Sequence, residues 1–354
     1  MKIRPVILCG GAGTRLWPKK SKHQAKQFID FGGWTLINKT FERVKSKVFD
    51  YPIISTNSKY IKDVKKALKK SKIKKYKIIL EPAKKNTAPA IGMMAALFQL
   101  NHKDEIMGVF PADHLIVGHK KFEKAINTAD YIARKDSNLV TIGIKPTFAS
   151  TAYGYIQYDE NSEIDHFDSY HVKAFAEKPH GKLAKRFLSS GDFLWNAGMF
   201  FWRVDTFMDS LNKYLPELHD SLTKIAPKLS SGESFDGIWD LIEPESIDYG
   251  LLEKASNIYV VSGEFRWNDI GSWNALYDIL NPSKDGNIVK GNGEVIKGKN
   301  NLIHSNGRLT AIVGADDLIV INTDDATLVV PNDKVEDVKE LVEMLKTSGK
   351  DNLI

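Results

Sequence analysis

Apolar runs of strand length alternate with stretches of helical spacing through the first half of this 354-residue chain, and that alternation narrows the fold more than any other feature. The runs are residues 3–9, 52–56, 76–80, 106–110 and 139–144. Between them lie 35–48, 59–71, 87–100 and 119–135, where apolar residues recur at helical spacing. In the first of these, Leu36, Ile37, Thr40, Phe41, Val44 and Val48 form one stripe, and Thr35 stands at the N-cap position. The pattern predicts an α/β layer sandwich on a mostly parallel sheet. Ligands in such sheets gather at the carboxyl ends of the strands.

The first strand ends in a glycine-rich loop, Gly10, Gly11 and Gly13. Backbone without Cβ approaches a ligand closely, and consecutive free N–H groups make an anion-binding concavity. Arg15, Lys19, Lys20, Lys22 and Lys26 follow, the charges a polyphosphate needs. Two standard phosphate loops fail here. A dinucleotide fingerprint starting at Gly11 needs a small residue where Leu16 stands, and no GK followed by Ser or Thr occurs in this stretch.

The formal charge of +6 raises the question of nucleic acid. Much of the excess lies in residues 62–77, KDVKKALKKSKIKKYK, where Val64, Ala67 and Leu68 keep helical spacing and no arginine is interleaved. That is the pattern of a solvated helix face, so no nucleic acid is expected as a partner. No apolar run approaches the length that spans a bilayer, and the N-terminus lacks a cleavable signal pattern, so no membrane is expected either. The single cysteine, Cys9, excludes an intrachain disulfide and fits a reducing compartment, giving a cytoplasmic expectation.

From residue 150 the texture becomes aromatic and alternating. Residues 151–159 and 170–179 read as strands, 181–192 as a short helix, and 193–211 as strand into helix, with helix continuing to about Leu222. Residues 246–255 read as another helix, and 258–273 as strand, turn and a helix start capped near Ser272. After a composition shift near Asn281–Asp285 come short β-branched runs separated by Gly, Asn and Asp, the mark of a small all-β appendage. A last helix over 333–347 places Val335, Val338, Leu341, Val342 and Leu345 on one face, which is expected to pack on that appendage or serve a subunit interface.

The motifs GGAGTRLWP and Lys26–Gln27–Phe28 resemble the signature of the sugar-nucleotide pyrophosphorylases, and Trp17–Pro18 with the KQF triplet points to their mannose-1-phosphate guanylyltransferase branch. Two positions depart from it. Ala25 replaces the usual proline before the triplet, which should loosen the turn aiming Lys26, and Ser21–Lys22 replaces Ser-Arg. The resemblance covers residues 5 to 275 in order and spacing. It implies a Rossmann-like nucleotide-diphospho-sugar transferase fold with a mixed, mostly parallel sheet over 1–280, and a truncated left-handed β-helix-like domain over 281–354.

It also implies residue roles. Leu8, Gly10, Gly11, Gly13, Thr14, Arg15, Lys26, Glu81, Asn86, Thr87, Ala88 and Asp113 match the nucleotide ligands, with Glu81 and Asn86 in the loop that reads guanine. Tyr153, Gly154, Glu177, Lys178 and Asn196 match the sugar-phosphate side. Asp113 in FPADH and Asp269 in WNDIGSW match the two metal carboxylates, with Mg2+ as the cofactor. The implied reaction joins GTP and mannose 1-phosphate into GDP-mannose and pyrophosphate, in a homodimer. Arg15, Lys26, Lys178, Asp113 and Asp269 are the implied catalytic set.

The chemistry asks for that inventory. The sugar phosphate oxygen is already anionic near neutral pH, so the work is to bring two polyanions together and stabilise the leaving group. Magnesium takes one or two carboxylates plus phosphate oxygens and water. Singly, Asp269 has a bland role as a helix cap, Lys178 as a solvated cation, Asn86 and Asn196 as caps, and His23 and His114 as structural groups. Rival readings are a guanylyltransferase for a heptose or fucose phosphate and a catalytically silent regulatory relative. A nicotinamide-dependent oxidoreductase is disfavoured by Leu16. Longer relatives add a cupin-type isomerase domain, and no isomerase activity is expected of this chain.

Overall fold

The protein is described by a computed structural model covering residues 2–10, 16–18, 25–165, 167–280 and 282–353. In chain order the strands are β1 (Arg4–Cys9), β2 (Ile53–Thr56), β3 (Lys77–Leu80), β4 (Ile106–Pro111), β5 (Leu115–Val117), β6 (Leu139–Ile144), β7 (Gly154–Tyr158), β8 (Ser169–Glu177), β9 (Phe193–Arg203), β10 (Ile258–Gly263), β11 (Arg266–Asn268), β12 (Ile288–Ile296), β13 (Leu302–Val313), β14 (Leu318–Asn322) and β15 (Thr327–Pro331). The helices are α1 (Leu36–Arg43), α2 (Ile61–Lys70), α3 (Thr87–Gln99), α4 (His119–Arg134), α5 (Gly181–Ser190), α6 (Val204–Tyr214), α7 (Pro216–Ser231), α8 (Asp236–Asp240), α9 (Trp273–Ile279) and α10 (Val338–Thr347). Two compact units result, one of residues 1–9, 42–111 and 118–265, the other of 10–41, 112–117 and 266–354.

The first unit is built on one nine-stranded sheet in the order β3-β2-β1-β4-β9-β6-β10-β8-β7. Its first four strands are parallel, as the strand–helix alternation requires. The long strand β9 then runs antiparallel to β4 and β6, which makes the sheet mixed. Parallel strands covered on both faces read as unbroken apolar runs, and every residue of β6 is buried. Helix α3 explains itself the same way. Its TAPAIGMMAALFQ has no polar stripe because residues Ala88 through Phe98 are all buried. Gly92 on α3 lets α7 approach, since a Cβ there would overlap Leu222.

Helix α2 buries Val64, Ala67 and Leu68 and turns its lysines outward, as its spacing predicts. Three boundaries differ from the sequence reading. Helix α1 stops at Arg43 rather than reaching 48, and the remainder is turn. The helix after β9 is two helices: α6 ends at Tyr214, Leu215 leaves helical geometry, and Pro216 opens α7, which runs on to Ser231. Proline is tolerated at that first position because it has no N–H to leave unpaired. Residues 246–255 form only one wide π-type turn, Asp248–Leu252. At Gly250 a Cβ would lie 2.8 Å from Leu215 Cδ1 and 2.9 Å from Glu245 Cγ, so a larger residue would need those side chains to shift.

The second unit holds a two-stranded pair, β5 with β11, and a four-stranded sheet in the order β12-β13-β14-β15. Strands β12, β13 and β14 stack in parallel, Ile288 beside Leu302 beside Ile319, and β15 folds back antiparallel. Two of the expected short runs, 301–305 and 309–315, join into the single strand β13 with an irregularity opposite Gly291–Gly293. Asparagines at the turns repeat the stacking: Asn301 Nδ2 donates to Asn287 Oδ1 at 3.1 Å. The α10 stripe packs where expected. Val335, Val338, Val342 and Leu345 are buried in one cluster with Ile288, Leu302 and Ile319. Ser272 precedes α9, but its side chain makes no cap hydrogen bond.

Candidate active site

In the second unit the β5/β11 pair brings together two acidic residues that are far apart in sequence. Its antiparallel register sets Asn268 opposite Leu115. Asp113 therefore lies just before one strand and Asp269 just after the other, at the same end of the ladder. Lys26 opens a 3-10 turn, Lys26–Phe28. Its Nζ lies 2.7 Å from Asp113 Oδ2 and donates to the Asp269 backbone oxygen at 2.5 Å. Burial pushes the Asp113 carboxyl up, but the Lys26 ammonium, with His114 adding to it, outweighs that and holds it below its ordinary value.

Asp269 sits in a loop strained for the purpose. Asn268 Oδ1 accepts from the Ile270 N–H at 2.7 Å and Asp269 Oδ1 from the Gly271 N–H at 3.1 Å. Between them Ile270, fully buried and β-branched, has φ +51°. Such a conformation persists only where the surroundings fix it, and it clusters at functional sites. Trp267 Nε1 donates to His114 Nδ1 at 3.2 Å, and His114 Nε2 lies 3.8 Å from Asp113 Oδ1. The histidine thus has a place beside the acid that the sequence left unassigned. Ala25 holds φ −75°, within the range a proline ring would fix, with ψ 152°, and its carbonyl accepts from the Phe28 N–H at 3.0 Å. The turn that aims Lys26 is formed with alanine in the proline's place.

The sugar-side residues gather in the first unit, around β7, β8 and β9. Gly154 pairs with Glu177 across β7 and β8, and a Cβ on Gly154 would push the Glu177 carboxylate from its place. Tyr153 packs edge-on against Trp195 at 5.1 Å. Strand β9 carries extra residues between Asn196 and Phe200 relative to β6, and Gly198 at φ +65° turns the bulge. The bulge aims Asn196. Its Oδ1 accepts from Gly198 N at 3.1 Å and Thr141 Oγ1 at 3.2 Å, and its Nδ2 donates to Asp248 Oδ1 at 2.8 Å.

Lys178 has φ +48° ahead of Pro179, a second strained residue, and its Nζ bonds the neighbouring Glu177 Oε1. Burial lowers the lysine, yet Glu177, Tyr249 and Asp248 together raise it above its ordinary value. Asp248 is the group that sequence reasoning missed. Burial first, and the Glu177 charge second, push it up to about 6. Its only sequence trace is the acid in SIDYGLLEK, which no local pattern marks.

The expected base-reading loop follows β3. Glu81 accepts from Ser55 Oγ at 2.7 Å, and burial raises its carboxyl. Asn86 caps α3 by accepting from Thr87 N at 2.9 Å, at φ +71°. Thr87 Oγ1 accepts from Ile247 N at 2.9 Å, and Ala88 N donates to Glu245 O at 3.0 Å. Leu8 is half-buried on β1, and Gly10 follows it exposed. Gly11, Gly13, Thr14, Arg15, Lys22 and His23 lie outside the described residues.

For a metal, the acceptors at Lys26 are oxygens, the Asp113 carboxylate and the Asp269 peptide carbonyl. Among the described residues no group of three His, Cys, Asp or Glu is assembled. Oxygen acceptors are the kind a hard divalent cation takes, together with phosphate oxygens and water.

The nucleotidyl transferase family matches residues 4–285, and the MannoseP isomerase/GMP-like beta-helix domain family matches 291–345. The mannose-1-phosphate guanylyltransferase of Klebsiella pneumoniae is 34% identical over 349 residues, 97% of this chain and 74% of that protein. The alginate biosynthesis protein AlgA of Pseudomonas fluorescens is 34% identical over 351 residues, 98% of this chain and 72% of that protein. A crystal structure from Thermus thermophilus, described as a mannose-1-phosphate geranyltransferase, superposes with TM-score 0.86 at 28% identity, covering 98% of this chain and all of that one.

Proposed function

The chain belongs to the nucleotidyl transferase family, and we propose that within it the protein acts as a mannose-1-phosphate guanylyltransferase, converting GTP and mannose 1-phosphate to GDP-mannose and pyrophosphate. The observation that carries the proposal is the corner where β5 and β11 bring Asp113 and Asp269 to one cation, Lys26. Relatives bearing the activity in their names support the substrate pair.

The reaction is in-line displacement. An oxygen of the sugar 1-phosphate forms a bond to the GTP α-phosphorus, and the bond to the bridging oxygen of pyrophosphate breaks. Mg2+ held by Asp113 and Asp269 would supply positive charge for the phosphate oxygens. The rest is positioning and charge from the chain itself. Gly10, Gly11 and Gly13 offer backbone N–H groups, Thr14 stands with them, and Arg15 and Lys26 hold the β- and γ-phosphates and the leaving pyrophosphate. Lys178 offsets the charge of the sugar phosphate. Tyr153, Gly154, Glu177 and Asn196 select the sugar hydroxyls, because an analogue that leaves such groups unpaired is rejected. Leu8, Glu81, Asn86, Thr87 and Ala88 receive the base. The same proposal assigns catalysis to residues 1–280 and a β-rich appendage to 281–354, in a cytoplasmic homodimer.

Pyrophosphate release measured against a panel of nucleoside triphosphates and sugar 1-phosphates tests this. GTP with mannose 1-phosphate should be the best pair. Preference for UTP or dTTP would overturn the guanine assignment, and preference for a heptose or fucose phosphate the mannose assignment.

A further inference from the structure

Asn196 sits half-buried at the β9 bulge with most of its amide already engaged. An asparagine side chain accepts through its oxygen and donates two hydrogens through its nitrogen. The oxygen takes the Gly198 N–H at 3.1 Å and the Thr141 hydroxyl at 3.2 Å. A backbone N–H cannot become an acceptor, so the oxygen end of the amide is fixed. The nitrogen gives one hydrogen to Asp248 Oδ1 at 2.8 Å. An ionised carboxylate has no hydrogen to donate, so it receives the nitrogen end alone. One N–H of Asn196 is left for a ligand. The amide is planar, so the bond to Asp248 sets the direction of that N–H.

Asp248 is a costly way to make this bond. It stands half-buried in the wide turn Asp248–Leu252, and burial with the Glu177 charge pushes its carboxyl up to about 6. Lys178, the cation of the cluster, bonds Glu177. An asparagine or serine could tie the turn to β9 without a charge to desolvate. Stability alone does not account for an acid here, and groups that lower stability are kept where a site uses them.

We propose that Asp248 is a positioning residue for sugar recognition: by accepting from Nδ2 it orients the Asn196 amide, so that Asn196 meets the sugar phosphate as a donor to one of its oxygens and not as an acceptor. This rests on the reading of Asn196 as a sugar ligand. A sugar with hydrogen in place of that oxygen leaves the N–H unpaired and is rejected.

A double-mutant cycle tests the arrangement, read by pyrophosphate release at saturating GTP with the sugar 1-phosphate that wild type uses best. Asp248→Asn removes the charge and keeps an acceptor. Asp248→Ala removes both, and Asp248→Leu does so at larger volume in case the first does not fold. Asp248→Ala or Asp248→Leu should raise KM for the sugar phosphate about tenfold over Asp248→Asn, with kcat within about twofold and KM for GTP unchanged. With Asn196→Ala already in place the same replacement should cost nothing further, because the group that Asp248 orients is gone. Equal KM values for Asp248→Asn and Asp248→Ala would overturn the proposal. So would a loss that persists in the Asn196→Ala background or falls equally on GTP, since that is what a purely structural tie would show. If Asn196→Ala alone leaves KM at the wild-type value, the reading of Asn196 as a sugar ligand falls and the role of Asp248 with it. Wild type that releases pyrophosphate from no pair would defeat the guanylyltransferase reading itself, and this role too.

Discussion

The two acidic neighbourhoods of this protein treat their carboxyl groups in opposite ways. In the second unit Asp113 is in contact with Lys26, and despite burial its carboxyl is held below the ordinary value. In the first unit Glu177 and Asp248 share Lys178, which bonds Glu177, and Asp248 is left with an asparagine and pushed up to about 6. Burial acts on both. What separates them is the direct neighbour: Asp113 touches an ammonium, whereas Asp248 touches an asparagine amide and feels the Glu177 charge. A carboxylate in direct contact with an ammonium stays charged near neutral pH, which suits cation chemistry. A pocket with a surplus carboxyl keeps an acid that can be neutral, which suits hydrogen bonding to hydroxyl groups.

The contrast can be broken by substitution. Asp113→Ala should cost most, lowering kcat by about 10³-fold or more in the pyrophosphate-release assay, because it removes a charge used at the reacting phosphate. Lys178→Met should lower kcat/KM for the sugar phosphate by about 10²-fold and spare binding of GTP, measured by calorimetry. An equal loss on the GTP side would erase the distinction between the two sites.

Asp248→Asn sharpens the comparison through stability. The folded carboxyl titrates near 6, above its unfolded value, so folding takes up protons and wild-type stability falls as pH rises from about 4 to about 6. The variant has no such cost, and urea unfolding should find it more stable than wild type by about 2 kcal/mol at pH 7.5 and nearly equal at pH 4. Asp113 has the reverse sign: its contribution is present above the unfolded value and is lost as pH falls through the lower folded one. Asn196→Ala should raise KM for the sugar phosphate about tenfold, a loss expected for one selective hydrogen bond. Trp267→Phe, which keeps the ring but loses the donor to His114, should lower kcat only a few-fold, about 1 kcal/mol or less.

Much of this is legible in the chain itself. The parallel strands β1 to β4 and helices α2 to α4 follow their runs within a few residues, since each buries a face whose period is local. Gly154, Asn196, Lys178, Asp113 and Asp269 all stand in motifs that mark them as candidates, and the fold puts each in one of two polar clusters. The missed features are nonlocal. Leu215 breaks the long helix before Pro216, a wide turn at Asp248–Leu252 replaces the expected helix beside Leu215, and β13 fuses two runs separated by Gly307.

Asp248 shows the limit most clearly. Nothing in SIDYGLLEK distinguishes it from a solvated helix acid until Asn196, arriving from a bulge on β9, hydrogen-bonds it. Likewise the sequence supplies a lysine after a glycine loop, and only the register of β5 on β11 decides that its ammonium faces Asp113 and the Asp269 carbonyl. Strand and helix identity, the buried faces, the glycine that a close approach demands and the inventory of charges were determined by the sequence alone, because each depends on residues near one another along the chain. Which charges meet, which neighbour each carboxylate touches and therefore which acid stays ionised were decided by tertiary structure, because Coulomb energies depend on distances in space that no local pattern records.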